Sequence, residues 1–346
     1  MSDQEAGARR LTDEQITEIY RTEVLPALDR ISPQKAARAV ILGGPQGSRK
    51  TSLRSLVAEQ LGLGEDVVYL DGDDLLVLHP DYDDLAVQHG APEAARLTRL
   101  DMGVLRELLL DEVRSRRLTI MLVGPFTDAQ YTADRLTEFR DAGYSPELAY
   151  TALHPALSQL ATMNRHIDAL TNGPGYSFLV RPALLESVIR NAPKTMARIE
   201  RDRLADALHV VDAAGVAFTK RLGGDGTWRP ERSAAEVIIA TRAQVWPPPL
   251  KEDFLRWRAR ADSPPLGEDP VRWAGRLDRV DQLASPMLAP SFGGGARSMA
   301  RVARSRSTTV LRPAGAAATR SKAPQAGRRP SPPEAPGQER GTGRSR

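Results

Sequence analysis

The stretch AVILGGPQGSRKT, residues 39–51, decides the fold. Ala39–Leu42 is a short, continuous apolar run, the pattern of a strand buried on both faces of a parallel sheet. A glycine-rich turn follows, and then a helical stretch from Thr51 to about Leu61. Strand, glycine-rich turn and helix in that order are the setting in which G-x-x-x-x-G-K-[ST] cradles phosphate. Backbone N–H groups and the helix N-terminus face the anion, the lysine neutralises the β/γ oxygens, and the hydroxyl holds Mg²⁺. Gly44, Lys50 and Thr51 stand at the required offsets, and Arg49 stands where the second glycine belongs. A Cβ there strains the loop if the position needs glycine-type dihedrals, while the guanidinium adds a cation near the phosphates. The expected nucleotide-binding set is Gly44, Pro45, Gln46, Gly47, Ser48, Arg49, Lys50, Thr51 and Ser52.

Working outward, the chain alternates strand and helix patterns. Residues 11–31 read as an amphipathic helix opened by a Thr12–Gln15 capping box. Further strands are expected at 67–70, 118–123 and 147–153, with edge strands at 208–211 and 217–220. Helices are expected at 92–116, 130–141, 156–170 and 182–207. This alternation predicts an α/β fold, a mostly parallel P-loop NTPase/kinase-type sheet flanked by helices. Pro247–Pro249 marks a boundary, so the expected division is a kinase-type domain over 1–246, a small helical extension over 247–286 and a tail over 287–346.

The charge follows that division. The 346 residues carry 48 Lys plus Arg against 44 Asp plus Glu, with a sequence pI near 9.5. Residues 287–346 hold 12 basic and 2 acidic side chains, a net of +10, which leaves the first 286 residues at −6. A mildly acidic body argues against a basic groove across it, so nucleic-acid binding is expected at most weakly, through the tail. That tail has 15 Gly plus Pro and one aromatic residue, Phe292, a composition that cannot offset ordering entropy and is expected to be disordered. There is no cysteine, so thiolate chemistry and Cys metal sites are excluded. No apolar run reaches membrane-span length and the N-terminus has no signal-peptide core, so a soluble cytoplasmic protein with no membrane partner is expected.

Leu70-Asp-Gly-Asp-Asp74 ends the second strand, with His79-Pro80 following. Carboxylates at the carboxyl end of a parallel strand face the ligand crevice, where one of them can accept a hydroxyl proton. The same run also reads as an acidic Asx-type turn. His79 reads as a turn or packing residue.

Together the phosphate loop and this acidic strand end resemble the zeta toxin family of P-loop kinases. The likeness extends to "LTDEQITEIYRTEVLPAL", to "DAGYSPELAYTALHPALSQLATMNR" and to "LHVVDAAGV", over about residues 10–225. The resemblance implies transfer of the ATP γ-phosphoryl group to a nucleotide sugar, UDP-N-acetylglucosamine, with Mg²⁺ held by Thr51. It implies Lys50 as the phosphate lysine, Asp73 as the catalytic base, Glu107 facing the sugar nucleotide, and Arg165 and Arg181 neutralising the transferring phosphate. It also implies a toxin with a small helical antitoxin as partner. Two places depart from the family. Arg49 replaces a glycine, and the Glu-Gly-Thr-x-Arg motif after the third strand reads Val123-Gly-Pro-Phe-Thr127, keeping Gly124 alone. These departures leave open a second reading, a catalytically degraded nucleotide-binding module that acts through partners.

Overall fold

A computed structural model describes residues 10–174, 177 and 179–288. The tail expected from residue 287 therefore lies outside the described residues, apart from Met287 and Leu288.

Seven strands form one sheet. Five are parallel: β1 (Arg38–Gly43), β2 (Val68–Asp71), β3 (Ile120–Gly124), β4 (Ser145–Thr151) and β5 (Ala207–Asp212). β6 (Gly215–Leu222) and β7 (Trp228–Arg229) add antiparallel, giving the order β2-β3-β1-β4-β5-β6-β7. Both faces are apolar, as the continuous strand runs require. Ala39, Ile41, Ile120, Leu122, Leu148 and Leu208 pack on one face, and Val40, Leu42, Met121, Val123, Ala149 and Val211 on the other.

The helices fill the connections. α1 (Asp13–Ile19) opens on the expected capping box, with the Thr12 hydroxyl accepting from Gln15 N–H and the Gln15 side chain accepting from Thr12 N–H. It continues through a π-helical segment (Tyr20–Val24) into a last turn (Leu25–Leu28). α2 (Lys50–Gln60) links β1 to β2. α3 (Gly72–Leu76), α4 (Tyr82–His89) and α5 (Ala91–Arg116) link β2 to β3, and α6 (Ala129–Asp141) links β3 to β4. α7 (Pro155–Asn172) and α8 (Pro182–Arg201) lead to β5. α9 (Ala234–Arg242), α10 (Pro248–Arg260) and α11 (Pro270–Leu288) follow the sheet.

Some elements differ from the sequence expectation. α8 stops at Arg201 rather than 207, because Arg203 adopts φ +53 and Leu204 N–H closes back on the Ile199 carbonyl. The acidic run after β2 is helical, because the Asp71 carboxylate caps α3 by accepting from Asp73 N–H. α9 was not expected. Its last residue, Arg242, donates through Nη1 to the Ile189 carbonyl at 2.7 Å, the group that Pro193 inside α8 cannot serve for want of an N–H.

A buried ion network ties the strands together. Glu147 in β4 accepts from Arg38 Nε and Nη2 at 2.6 and 2.9 Å and lies 2.8 Å from His209 Nε2 in β5. His209 Nδ1 meets the Thr219 hydroxyl of β6 at 3.0 Å, and Arg38 Nη1 donates to the Leu61 carbonyl. Burial alone would raise the Glu147 carboxyl, but the bonds from His209 and Arg38 outweigh it and hold it down at about 2. A depressed carboxyl contributes stability that is present above its unfolded value near 4.5 and lost as pH falls toward 2. Denaturant melts should therefore show about 3 kcal/mol lost between pH 5 and pH 2 from this group. Glu147→Gln should remove that part of the slope, and should cost about 1–3 kcal/mol at pH 7 by leaving the half-buried Arg38 without its charged partner.

Candidate active site

The phosphate loop is shaped by two close approaches. Gly44 has φ +149, and a Cβ on it would stand 1.9 Å from Thr151 Oγ1. Gly47 has φ +75, and a Cβ on it would stand 2.2 Å from the Ser158 carbonyl of α7. Only glycine fits either place. Ser48 is buried and receives the Thr151 hydroxyl at 2.7 Å, and Gly44 N–H donates to the Pro125 carbonyl after β3. The loop is thus pinned to β3, β4 and α7 at the carboxyl edge of the sheet, where ligands of open α/β folds bind.

Arg49 has φ +66 and is the N-cap of α2, without a side-chain cap bond. The position does demand left-handed backbone, so this arginine carries the strain the sequence anticipates. Loss of water at the half-buried guanidinium lowers its pKa, and Asp253 of α10 opposes that shift.

Lys50 Nζ donates to the Gly44 and Pro45 carbonyls at 2.8 and 2.9 Å. Burial pushes it down to about 8, with the Asp71 and Asp73 charges resisting and Arg165 assisting. Thr51 Oγ1 lies 3.2 Å from Asp71 Oδ2. Asp73 sits beside them at the mouth of the crevice. Desolvation there and the Asp71 charge push its carboxyl up, against the pull of Arg165 and Lys50. Lys50, Thr51, Asp71, Asp73 and Arg165 therefore form one electrostatic cluster. Arg165 is exposed on α7, and among the described residues no ion pair holds it.

Thr51 and Asp71 suit Mg²⁺, which takes one or two protein oxygens and leaves the rest of its shell to phosphates and water. The sequence does not single out Asp71, whose signal is its place as the last strand residue, with its carboxylate reaching the first turn of α2.

Other expected residues have partners outside this cluster. Glu107 on α5 is bound by Arg135 of α6 through two contacts of 2.9 Å and by Arg106. Burial alone would raise its carboxyl, but these arginines together hold it below the usual range. Arg181 is the exposed N-cap residue of α8, and among the described residues no bond ties it to Asp73 or Arg165. His79 is buried, accepts Asp81 N–H at Nδ1 and faces Asp101 at 3.5 Å, the packing role expected. In the altered motif Phe126 has φ +42, its ring lies over Gly124, and it stacks on Tyr131 at 5.9 Å. A cavity of about 450 Å³ opens next to it, lined by Thr127, Asp128, Ala129, Asn191, Lys194 and Thr195.

A parallel sheet, a phosphate loop at the carboxyl end of β1 and an acidic end on β2 define the class: a P-loop kinase-type α/β protein. The family model described as Zeta toxin matches residues 23–222, and the chain belongs to that family. Toxin PezT of Streptococcus pneumoniae is 27% identical over 136 residues, 39% of this chain and 53% of PezT. Toxin zeta of Streptococcus agalactiae is 25% identical over 191 residues, 53% of this chain and 63% of that protein. The chain thus spans between half and two thirds of these curated relatives. A solved chain of the PezAT chromosomal toxin–antitoxin system of S. pneumoniae superposes with a TM-score of 0.59 at 18% identity, over 79% of this chain and 98% of that one. No described helix is long and apolar enough to cross a membrane.

Two outcomes follow from the loop. Arg49→Gly removes the left-handed strain and should raise stability by about 1 kcal/mol in thermal melts. Lys50 is charged below about pH 8 and loses its proton above it, so the triphosphate must restore that proton when it binds at higher pH. Calorimetry should show ATP affinity steady from pH 6 to 7.5 and falling roughly tenfold per unit beyond pH 8.

Proposed function

We propose that the chain is an ATP-dependent small-molecule kinase whose acceptor is a nucleotide sugar such as UDP-N-acetylglucosamine. The observation that carries this reading is the convergence of Lys50, Arg165 and Asp73 beside the Thr51–Asp71 pair at one end of the sheet. Asp73 would take the proton from the acceptor hydroxyl as that oxygen attacks the γ-phosphorus and ADP departs. A carboxyl pushed up by its surroundings is a better base for that task. Lys50 and Arg165 would stabilise the charge spread over the transferring group, with Arg181 reaching it once substrate is bound. Thr51 and Asp71 would hold Mg²⁺, which supplies further neutralisation of the β/γ oxygens when bound. The cavity beside Phe126 would take the acceptor, with Lys194 toward its phosphates. Glu107 would face that acceptor.

Residues 1–246 would form the kinase domain and 247–286 an extension to it. The PezAT likeness supports a toxin held in check by a small antitoxin. A second reading, a nucleotide-binding module without turnover, is favoured by Arg49 and by the loss of polar groups over Val123–Thr127. Radiolabelled ATP transfer across a panel of UDP-sugars separates the two. Turnover should appear in the wild type and fall by about a hundredfold or more in Asp73→Asn, with ATP affinity retained. ATP binding with no transfer to any acceptor would leave the module reading.

A further inference from the structure

The family match ends at residue 222, yet residues 247–288 pack against α7 and bond to it. α7 presents three faces. One lies against the phosphate loop, where Ser158 and Thr162 meet Gly47. A second is buried under α10 and α11, where Leu157, Leu160 and Met163 pack with Phe254, Trp273 and Leu277. The third carries Arg165, exposed, its charge acting on Lys50 and Asp73.

Both neighbours of Arg165 are held by the extension. Asn164 Nδ2 donates to the Trp257 carbonyl at 3.3 Å, and His166 Nε2 bonds Glu268 Oε1 at 2.8 Å. A carboxylate only accepts, so Nε2 carries the hydrogen. Arg260 pairs with Asp168 half a turn further on. The clamp is itself stiff, because the Trp273 indole N–H donates to the Ala261 carbonyl and joins α11 to the end of α10. Side chains at successive helix positions point about 100° apart. Bonds on residues 164 and 166 therefore fix the rotation of α7, and with it the direction of Arg165 between them.

We propose that the segment 247–288 is a brace for phosphoryl transfer, in which Glu268 and His166 act as positioning residues that aim Arg165 at the terminal phosphate of ATP. The inference rests on the kinase reading for the role of Arg165. A small error in aim costs a phosphate contact much of its value, and solvent-exposed Arg165 has no described partner of its own to correct it.

Calorimetry on the full-length chain tests this with ATP and ADP as probes. ADP lacks the phosphate that Arg165 would hold. Glu268→Ala and Arg165→Ala should each weaken ATP by about tenfold and leave ADP unchanged. The double variant should be no worse than Arg165→Ala alone, because Glu268 acts through Arg165. Glu268→Gln keeps an acceptor oxygen for His166 and should retain most of the ATP affinity. Equal losses for ATP and ADP, unchanged ATP affinity in Glu268→Ala, or additive losses in the double variant would overturn the brace. The expected binding pattern in a chain that transfers phosphate to no acceptor would strike transfer alone and leave Arg165 aimed at the terminal phosphate of bound ATP.

Discussion

The site depends on how closely the phosphate loop lies against its neighbours. A Cβ on Gly47 would stand 2.2 Å from the Ser158 carbonyl, and one on Gly44 would stand 1.9 Å from the Thr151 hydroxyl oxygen. With hydrogens there instead, the loop backbone sits down on β4 and α7, and the Ser48–Thr151 and Gly44–Pro125 bonds lock it. Amides held this way are oriented before any phosphate arrives and need no reorganisation when it does. Lys50 inherits that rigidity, because both carbonyls that hold its ammonium belong to the loop. The same contact couples the loop to α7, so whatever fixes that helix also fixes the cations around the phosphates.

Legibility in the sequence follows the range of the interaction that decides each feature. β1, its turn and α2 are written in consecutive residues, and the sequence places them to within a residue or two. The parallel sheet is legible for the same reason, since each buried strand is a local apolar run. The sequence reads Asp73 as an acid at a strand end, whereas β2 ends at Asp71 and Asp73 lies in the first turn of α3. The separate place of Asp71 depends on a bond to Thr51 across 20 residues, and the residues around it show no periodicity to announce it. α9 is short, and its anchor is a carbonyl freed by a proline 49 positions earlier. Glu107 is the clearest case, because its partner Arg135 lies on another helix, 28 residues on.

The replaced motif after β3 shows how a polar wall is rebuilt rather than simply lost. An aromatic residue at φ +42 is strained by about 1–2 kcal/mol, and such a conformation persists only where its surroundings over-determine it. Here they do. The Tyr150 hydroxyl reaches the Pro125 and Phe126 carbonyls at 2.7 and 2.6 Å, and the Thr132 hydroxyl adds a third bond to Phe126. The ring then covers Gly124, where any side chain would collide with it at 2.9 Å, and stacks on Tyr131. Tyr131 in turn lies under Arg135, which binds Glu107.

That chain of contacts bears on the choice between an active and a degraded site. Relaxation to unstrained backbone would gain about 1–2 kcal/mol, and the contacts around Phe126 outweigh it. This loop keeps its strain and is held by hydroxyls from β4 and α6. Register places it between the two halves of the cluster, because Asp71 pairs with Val123 on one side of β3 and Gly43 pairs with Gly124 on the other. The Thr51–Asp71 contact bridges those two halves directly, at 3.2 Å. Under the proposed kinase reading, an ordered aromatic surface there, in place of an acid, a hydroxyl and an arginine, would change what that wall recognises. The Lys50–Asp73–Arg165 cluster beside it carries the charges that the proposed phosphoryl transfer would use.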